Sequence, residues 1–132
     1  MIFIDANIFL AYFNEDDVHH ARAIHVFDQV KGGSYGRAFT SDYVFNEVVG
    51  VALRKFGKKN AVRSGEWILG NIPIINIDEP VFSSAWRAFT GSGQTLSLVD
   101  WTNLIVMKLA NVEHIATFDK AFGAIEHLRV IR

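Results

Sequence analysis

Apolar residues along this chain follow two rhythms: short unbroken runs, and longer stretches in which they recur every three or four positions. Ile2-Phe3-Ile4 is too short for a helix and predicts a first strand, with Ala6 to Phe13 helical behind it. Asp16 and Asp17 are placed to cap a second helix whose Ala21, Ile24, Phe27 and Val30 recur every three positions, and Lys31-Gly32-Gly33-Ser34 ends it. Gly36 to Thr40 predicts a second strand. Ser41 is a good N-cap for a helix through Phe56, with Val44, Val48, Val51 and Ala52 on one stripe and Gly57 as its stop. A fourth helix is expected from Lys59 to Leu69, ended by Gly70-Asn71, and then a strand over Ile74-Ile75-Asn76-Ile77. Asp78 caps a helix to about Phe89, with Pro80 tolerated in its first turn, and Thr90 to Gly93 reads as a loop. Ser97 opens a helix over Leu98 to Asn111, His114 to Thr117 is the fourth strand, Lys120 to Ile125 a short helix, and Arg129 to Ile131 the last strand. Strands alternating with helices imply a parallel sheet covered on both faces. The expectation is α/β: a three-layer α/β/α sandwich around a five-stranded parallel sheet, with about seven helices.

Composition adds limits to that picture. The 132 residues show no repeat, no low-complexity stretch and no linker, so one domain over residues 1–132 is the economical expectation. Half the residues are hydrophobic and 20% are charged, enough apolar content to bury a core. No cysteine is present, which excludes disulfides, thiolate zinc sites and cysteine nucleophiles. The start lacks a basic segment and Asp5 interrupts its apolar run, unlike a signal peptide. No stretch reaches the ~18 apolar residues of a membrane span; Trp67 to Ile77 comes nearest but carries Gly70, Asn71 and Pro73. A soluble cytoplasmic protein without a membrane partner is expected.

In open parallel sheets, sites form beyond the carboxyl ends of the strands, near the point where strand order reverses. Asp5 ends the first strand, Asp119 lies two residues beyond the fourth, Asp100 sits in the first turn of the helix leading back to the fourth, and Glu47 is in the helix after the second. If the first and fourth strands are neighbours, Asp5 and Asp119 come within reach of each other. Each acid also has a plainer role. Asp100 completes a Ser-x-x-Asp capping box with Ser97, which taken alone is the stronger reading. Asp119 can cap the short helix after it, and Glu47 at the edge of an apolar stripe can simply face solvent. Asp5 is hardest to explain away, because a carboxylate against a buried strand is costly to desolvate unless it is paired or binds a metal.

The motifs around these acids match a known family in order. Asp5-Ala6-Asn7 after an apolar strand resembles the opening motif of PIN-domain nucleases, Ser41 through Glu47 the second, Leu98-Val99-Asp100 the third, and Ala116-Thr117-Phe118-Asp119-Lys120-Ala121-Phe122 the fourth. The resemblance implies a parallel five-stranded sandwich, Mg²⁺ or Mn²⁺ as cofactor, and endonucleolytic cleavage of RNA. Small members are frequently toxins of VapBC-type toxin–antitoxin pairs, homodimers held inactive by an antitoxin peptide in the acidic groove. One departure stands in the fourth motif, where many relatives carry a further acid in place of Ala121.

The chemistry expected of such a site follows from its donors. Hard cations prefer oxygen ligands, and four converging carboxylates repel one another by several kcal/mol at close range unless a cation intervenes. Asp5 and Asp100 are expected as primary ligands; Asp119 would bind directly or through water, and Glu47 would hold a second metal or orient the attacking water. A bound cation lowers the pKa of its water, and a pair about 4 Å apart can stabilise both attacking and leaving oxygens. The products implied are a 5′-phosphate and a 3′-hydroxyl. Asn7 and Thr117 can hydrogen-bond the carboxylates and fix their rotamers, or serve only as cap and strand-end residues.

Net charge is −1, but setting the four acids aside leaves ten against thirteen Lys and Arg. Arg54, Lys55, Lys58, Lys59 and Arg63 fall in a segment without an acid, either an RNA contact or a solvated helix end; Lys120 is a further phosphate candidate. His19, His20 and His25 lack the i,i+4 spacing of a metal pair. The 11 Phe and 3 Trp fall mostly at core-facing spacings; Phe13, Trp67 and Trp86 are candidates for a dimer or antitoxin surface. Rival expectations are a PIN-type RNA-processing nuclease without an antitoxin, a phosphohydrolase using Asp5 as a covalent nucleophile, and a non-catalytic PIN-like binding module. The phosphohydrolase chemistry usually has an acid where Asn7 stands.

Overall fold

The computed structural model describes residues 1–132. Its strands are β1 (Ile2–Ile4), β2 (Ala38–Ser41), β3 (Ile74–Ile75), β4 (His114–Ala116) and β5 (Arg129–Ile131); its helices are α1 (Ala6–Phe13), α2 (His20–Lys31), α3 (Asp42–Phe56), α4 (Lys58–Asn71), α5 (Glu79–Gly91) and α6 (Leu98–Leu109), with a 3₁₀ turn at Lys120–Ala124. All pairings are parallel and the order is β3-β2-β1-β4-β5. This is the expected α/β sandwich. The chain builds outward from β1 to β3, then crosses back to lay β4 on the other side of β1, so strand order reverses between β1 and β4.

Burial explains the apolar runs. Every residue of β1 and β2 is buried, as the inner strands of a sheet covered on both faces must be. Helices α1 to α4 pack against one another as one layer and α5 against α6 as the other, the separation that right-handed crossovers impose. The core joins the sheet to both layers through Phe3, Phe9, Phe27, Met107, Ile115 and Phe122, all with almost no exposure. Phe3 and Phe39 meet edge to face at 5.3 Å, and Phe9 lies 5.6 Å from Phe27 of α2.

Several element boundaries differ from expectation, each for a local reason. Helix α2 starts at His20 and takes no side-chain cap; Asp17 instead accepts from the His19 amide, and Asp16 caps nothing. Gly36 turns with φ 70°, so β2 begins at Ala38 and runs on to Ser41, which also caps α3. Strand β3 stops at Ile75, and Ile77 leaves the ladder because its amide donates to Asp42 Oδ1 at 3.0 Å. Helices α4 and α5 run on to Asn71 and Gly91, and the side chains of Asn71 and Thr90 bond carbonyls one turn back, at Trp67 and Trp86. Helix α6 ends two residues early and the chain turns through Asn111 at φ 53°, a left-handed conformation that Asn tolerates. Gly57, at φ 84°, makes the sharp corner between α3 and α4.

Phe9 fills the space between sheet and helical layer with no exposure. Phe9→Ala is expected to cost about 3–5 kcal/mol of stability, measured as a lower urea midpoint with an unchanged m-value.

Candidate active site

The first and fourth strands place two of the acids by register. Ile4 pairs with Ala116, so the next residues, Asp5 and Thr117, leave the sheet side by side. The Asp5 amide still donates to Ala116 O at 3.0 Å, and the Thr117 hydroxyl donates to Asp5 Oδ2 at 2.7 Å. Asp5 Oδ1 accepts from the Ala6 amide at 2.8 Å, making Asp5 the N-cap of α1. Asn7, the second residue of α1, donates to Asp5 Oδ2 at 2.9 Å and to Thr117 Oγ at 3.0 Å, while its Oδ1 accepts from the Phe118 amide at 3.0 Å. The Asp119 amide closes the set by donating to Thr117 Oγ at 3.1 Å. Asn7 and Thr117 therefore both hydrogen-bond the Asp5 carboxylate, and together they bolt the β1–α1 corner to the β4 corner.

Asp5 is 6% exposed and has no cationic partner; the single ion pair of the chain joins Arg129 and Glu113 elsewhere. Burial pushes its carboxyl up to about 6 despite the Thr117 and Ala6 hydrogen bonds, and the charges of Asp100 and Glu47 push the same way. Glu47, on α3, is raised by desolvation of its carboxyl and then by Asp100. Asp100 is raised chiefly by burial and also by Asp119, against hydrogen bonds from Ser97. The four acids thus share one electrostatic neighbourhood at the strand-order reversal, and nothing in the protein neutralises it.

Two of the acids also cap helix starts. Asp100 Oδ2 accepts from the Ser97 amide at 2.7 Å and Ser97 Oγ accepts from the Asp100 amide at 3.1 Å, the full capping box. Asp119 Oδ1 accepts from the Ala121 amide at 2.8 Å and caps the 3₁₀ turn. In this conformation no three His, Cys, Asp or Glu side chains stand at the spacing of a metal site. The donor set nevertheless fits a hard cation. It consists of carboxylate oxygens, its charge is uncompensated, and each cap occupies only one oxygen of Asp100 or Asp119.

The sequence pattern did not bring out two neighbours of the acids. Asn103, three residues beyond Asp100 on α6, is fully buried; its Oδ1 accepts from Ser41 Oγ at 3.4 Å and its Nδ2 has no partner. A polar residue on the stripe shared by Val106 and Met107 was the available signal. His19 precedes α2, rather than lying on it, and stacks on Phe118 with ring centres 4.5 Å apart and planes 22° apart. Of the basic segment, Lys55 lines a pocket beside Asn7 and Arg63 a neighbouring cavity with Phe56; Arg54, Lys58 and Lys59 are exposed and line neither. Lys120 is exposed at the start of the 3₁₀ turn. Phe13 and Trp67 pack with Tyr12 in a half-buried aromatic cluster that lines a cavity, whereas Trp86 is 50% exposed and stacks on Phe89.

Comparison with known proteins agrees with this fold. A family model described as the PIN domain matches residues 2–128. No curated protein matches the chain. Among solved structures, it is similar to the VapC20 toxin of Mycobacterium tuberculosis, described as cleaving the sarcin–ricin loop, at 23% identity and TM-score 0.82 over 94% of each chain. It is also similar to VapBC2 from Rickettsia felis bound to a promoter DNA fragment, at 15% identity and TM-score 0.74 over 98% of this chain and 97% of that one. A toxin–antitoxin complex from Klebsiella pneumoniae aligns at 17% identity and TM-score 0.73, over 100% and 98%. No helix of the chain is long and apolar enough to cross a membrane.

The raised carboxyls set a pH dependence for the metal-free protein. Asp5 ionises near 3.8 when unfolded and near 6 when folded, so between those values the folded state holds the extra proton and stability falls as pH rises. The Asp5 share is on the order of 3 kcal/mol. The melting temperature in chelator is expected to drop from about pH 4 to about pH 7, and Asp5→Asn to flatten most of that slope; a slope unchanged in the variant would mean that the Asp5 carboxyl is not the group responsible.

Proposed function

The chain belongs to the PIN domain family, and from that premise we propose that it is a metal-dependent endoribonuclease cutting single-stranded RNA, the toxin of a VapBC-type pair. The observation that carries the reading is the set of four acids around the strand-order reversal, of which Asp5, Glu47 and Asp100 are raised by burial and by neighbouring acids, and none of which has an ion-pair partner.

In this reading Mg²⁺ or Mn²⁺ is held by Asp5 and Asp100, with Asp119 bound directly or through water and Glu47 holding a second ion or orienting water. When bound, such a cation supplies an activated water and charge stabilisation for an in-line displacement, giving a 5′-phosphate and a 3′-hydroxyl. The protein's own contribution is orientation. Thr117 and Asn7 fix the Asp5 carboxylate by hydrogen bonds of 2.7 and 2.9 Å, so it meets a ligand without rotamer search. The caps on Asp100 and Asp119 hold each carboxylate at its helix start while leaving one oxygen unbonded. Arg54, Lys55, Lys58, Lys59, Arg63 and Lys120 supply positive charge for the phosphate backbone.

Toxins and toxin–antitoxin complexes among the similar structures support an antitoxin partner for this chain. A homodimer fits the exposed stripe of Phe82, Trp86 and Phe89 on α5, an apolar face that a second copy would cover. The cytoplasm, where RNA substrate and antitoxin meet, is the proposed location.

Asp100→Asn is expected to remove Mg²⁺-dependent cutting of single-stranded RNA while the circular-dichroism spectrum stays unchanged. Thr117→Val, which keeps the shape and loses the hydroxyl, should lower activity about 10- to 100-fold. Purified wild-type chain that cuts no RNA with either cation, and carries no bound antitoxin, would refute the enzyme reading.

A further inference from the structure

A small pocket of about 180 Å³ opens directly beside the acids, between α1, the segment leading into α2, and α3. Its lining includes Asn7, which donates to Asp5 at 2.9 Å, so one lining side chain is bonded directly to the buried carboxylate. Resting on the ribonuclease reading, we propose that this pocket takes one nucleotide of single-stranded RNA, the neighbour of the phosphodiester to be cut.

Three features argue for a nucleotide. The first is an aromatic pair on the lining. His19 and Phe118 stack on each other with ring centres 4.5 Å apart and planes 22° apart, both line the pocket, and each ring keeps a face turned away from the other. The Phe118 amide donates to Asn7 Oδ1, and the His19 amide donates to Asp17 Oδ1 at 2.8 Å. A pre-set π surface binds any base at little ordering cost. Second, Lys55 stands on the pocket with no ion-pair partner, and it alone of the five cations in the acid-free segment lines this pocket. It is placed for a phosphate next to the stacked base. Third, Asp17 also lines the pocket. An anion is unfavourable near phosphate, but it accepts from an exocyclic amino group, so its presence favours cytosine or adenine over uracil. The base must be unpaired to enter, which restricts the site to single strands.

The test is binding of short fluorescein-labelled homopolymers of A, C and U, read by anisotropy in the presence of Mg²⁺. All variants carry Asp100→Asn so that binding is read without cutting. His19→Ala is expected to weaken binding about 5- to 100-fold, and His19→Phe, which keeps the ring, to retain it. Lys55→Ala should reduce the slope of log affinity against log salt by about 0.7. Lys108→Ala, removing an equal charge from the last turn of α6, should leave the slope as it was. Asp17→Asn should narrow the preference for C and A over U. Losses in His19→Ala and Lys55→Ala no larger than in Lys108→Ala overturn the proposal and leave the pocket to a peptide partner. The two readings fail separately. A chain with Asp100 intact that cuts RNA while its pocket variants bind like Lys108→Ala refutes the pocket alone. A chain that never cuts but shows the expected binding pattern refutes the nuclease and supports the pocket.

Discussion

The burial of Asp5 at the end of the central strand is the constraint around which the site is organised. A carboxylate with 6% exposure must either find donors or lose its charge. Here it finds three, from Ala6, Asn7 and Thr117, and they are not enough: burial still outweighs them and lifts the carboxyl to about 6. The donors come from two chain segments far apart in sequence, so satisfying one acid also joins β1 to β4. That joint sits at the reversal of strand order, the one place in the sheet where neighbouring strands send their connections in opposite directions and leave a cleft.

The four acids divide into one that is fixed and three that keep freedom. Both oxygens of Asp5 are engaged, whereas Asp100 and Asp119 each commit one oxygen to a helix-start amide and Glu47 commits neither. A side-chain cap contributes about 1 kcal/mol. That is smaller than the repulsion several close carboxylates feel in a partly buried site, so a cation that relieves the repulsion outweighs the caps without breaking the fold. Capping and metal binding are therefore compatible uses of the same acids, and the plain reading of Asp100 as a helix cap is correct while leaving its free oxygen available.

Sequence periodicity carried the architecture well because buried parallel strands and amphipathic helices leave strong local patterns. Ile2-Phe3-Ile4 and the Val44-Val48-Ala52 stripe are examples. Elements failed where a side-chain contact, near or far in sequence, took a backbone amide. Ile77 looks like strand, yet Asp42, 35 positions away, takes its amide. Asp17 looks like a helix cap, yet it serves the His19 amide instead. For the site, positions of Asp5, Asn7, Thr117 and Asp119 were legible from the strand ends. Asn103 and the His19–Phe118 stack were not, because each depends on a contact across the fold that no local rhythm encodes.

Asn7 links the two halves of this picture. Its amide nitrogen faces the buried carboxylate and Thr117, its oxygen holds the Phe118 backbone, and its flank forms part of the pocket lined by the aromatic pair. All its hydrogen-bonding capacity toward the β4 corner is used, so it cannot move without releasing Asp5 and Phe118 together. The orientation of the carboxylate and the position of the stacking surface are thereby set by one side chain. A substrate strand settled against Phe118 would lie in fixed register with Asp5, and that register, more than the number of positive charges nearby, determines which phosphodiester meets the acids. The net charge of −1 is consistent with the proposed division of labour, in which a few placed cations and an aromatic ring would hold a polyanion and the acids would be left for the cut.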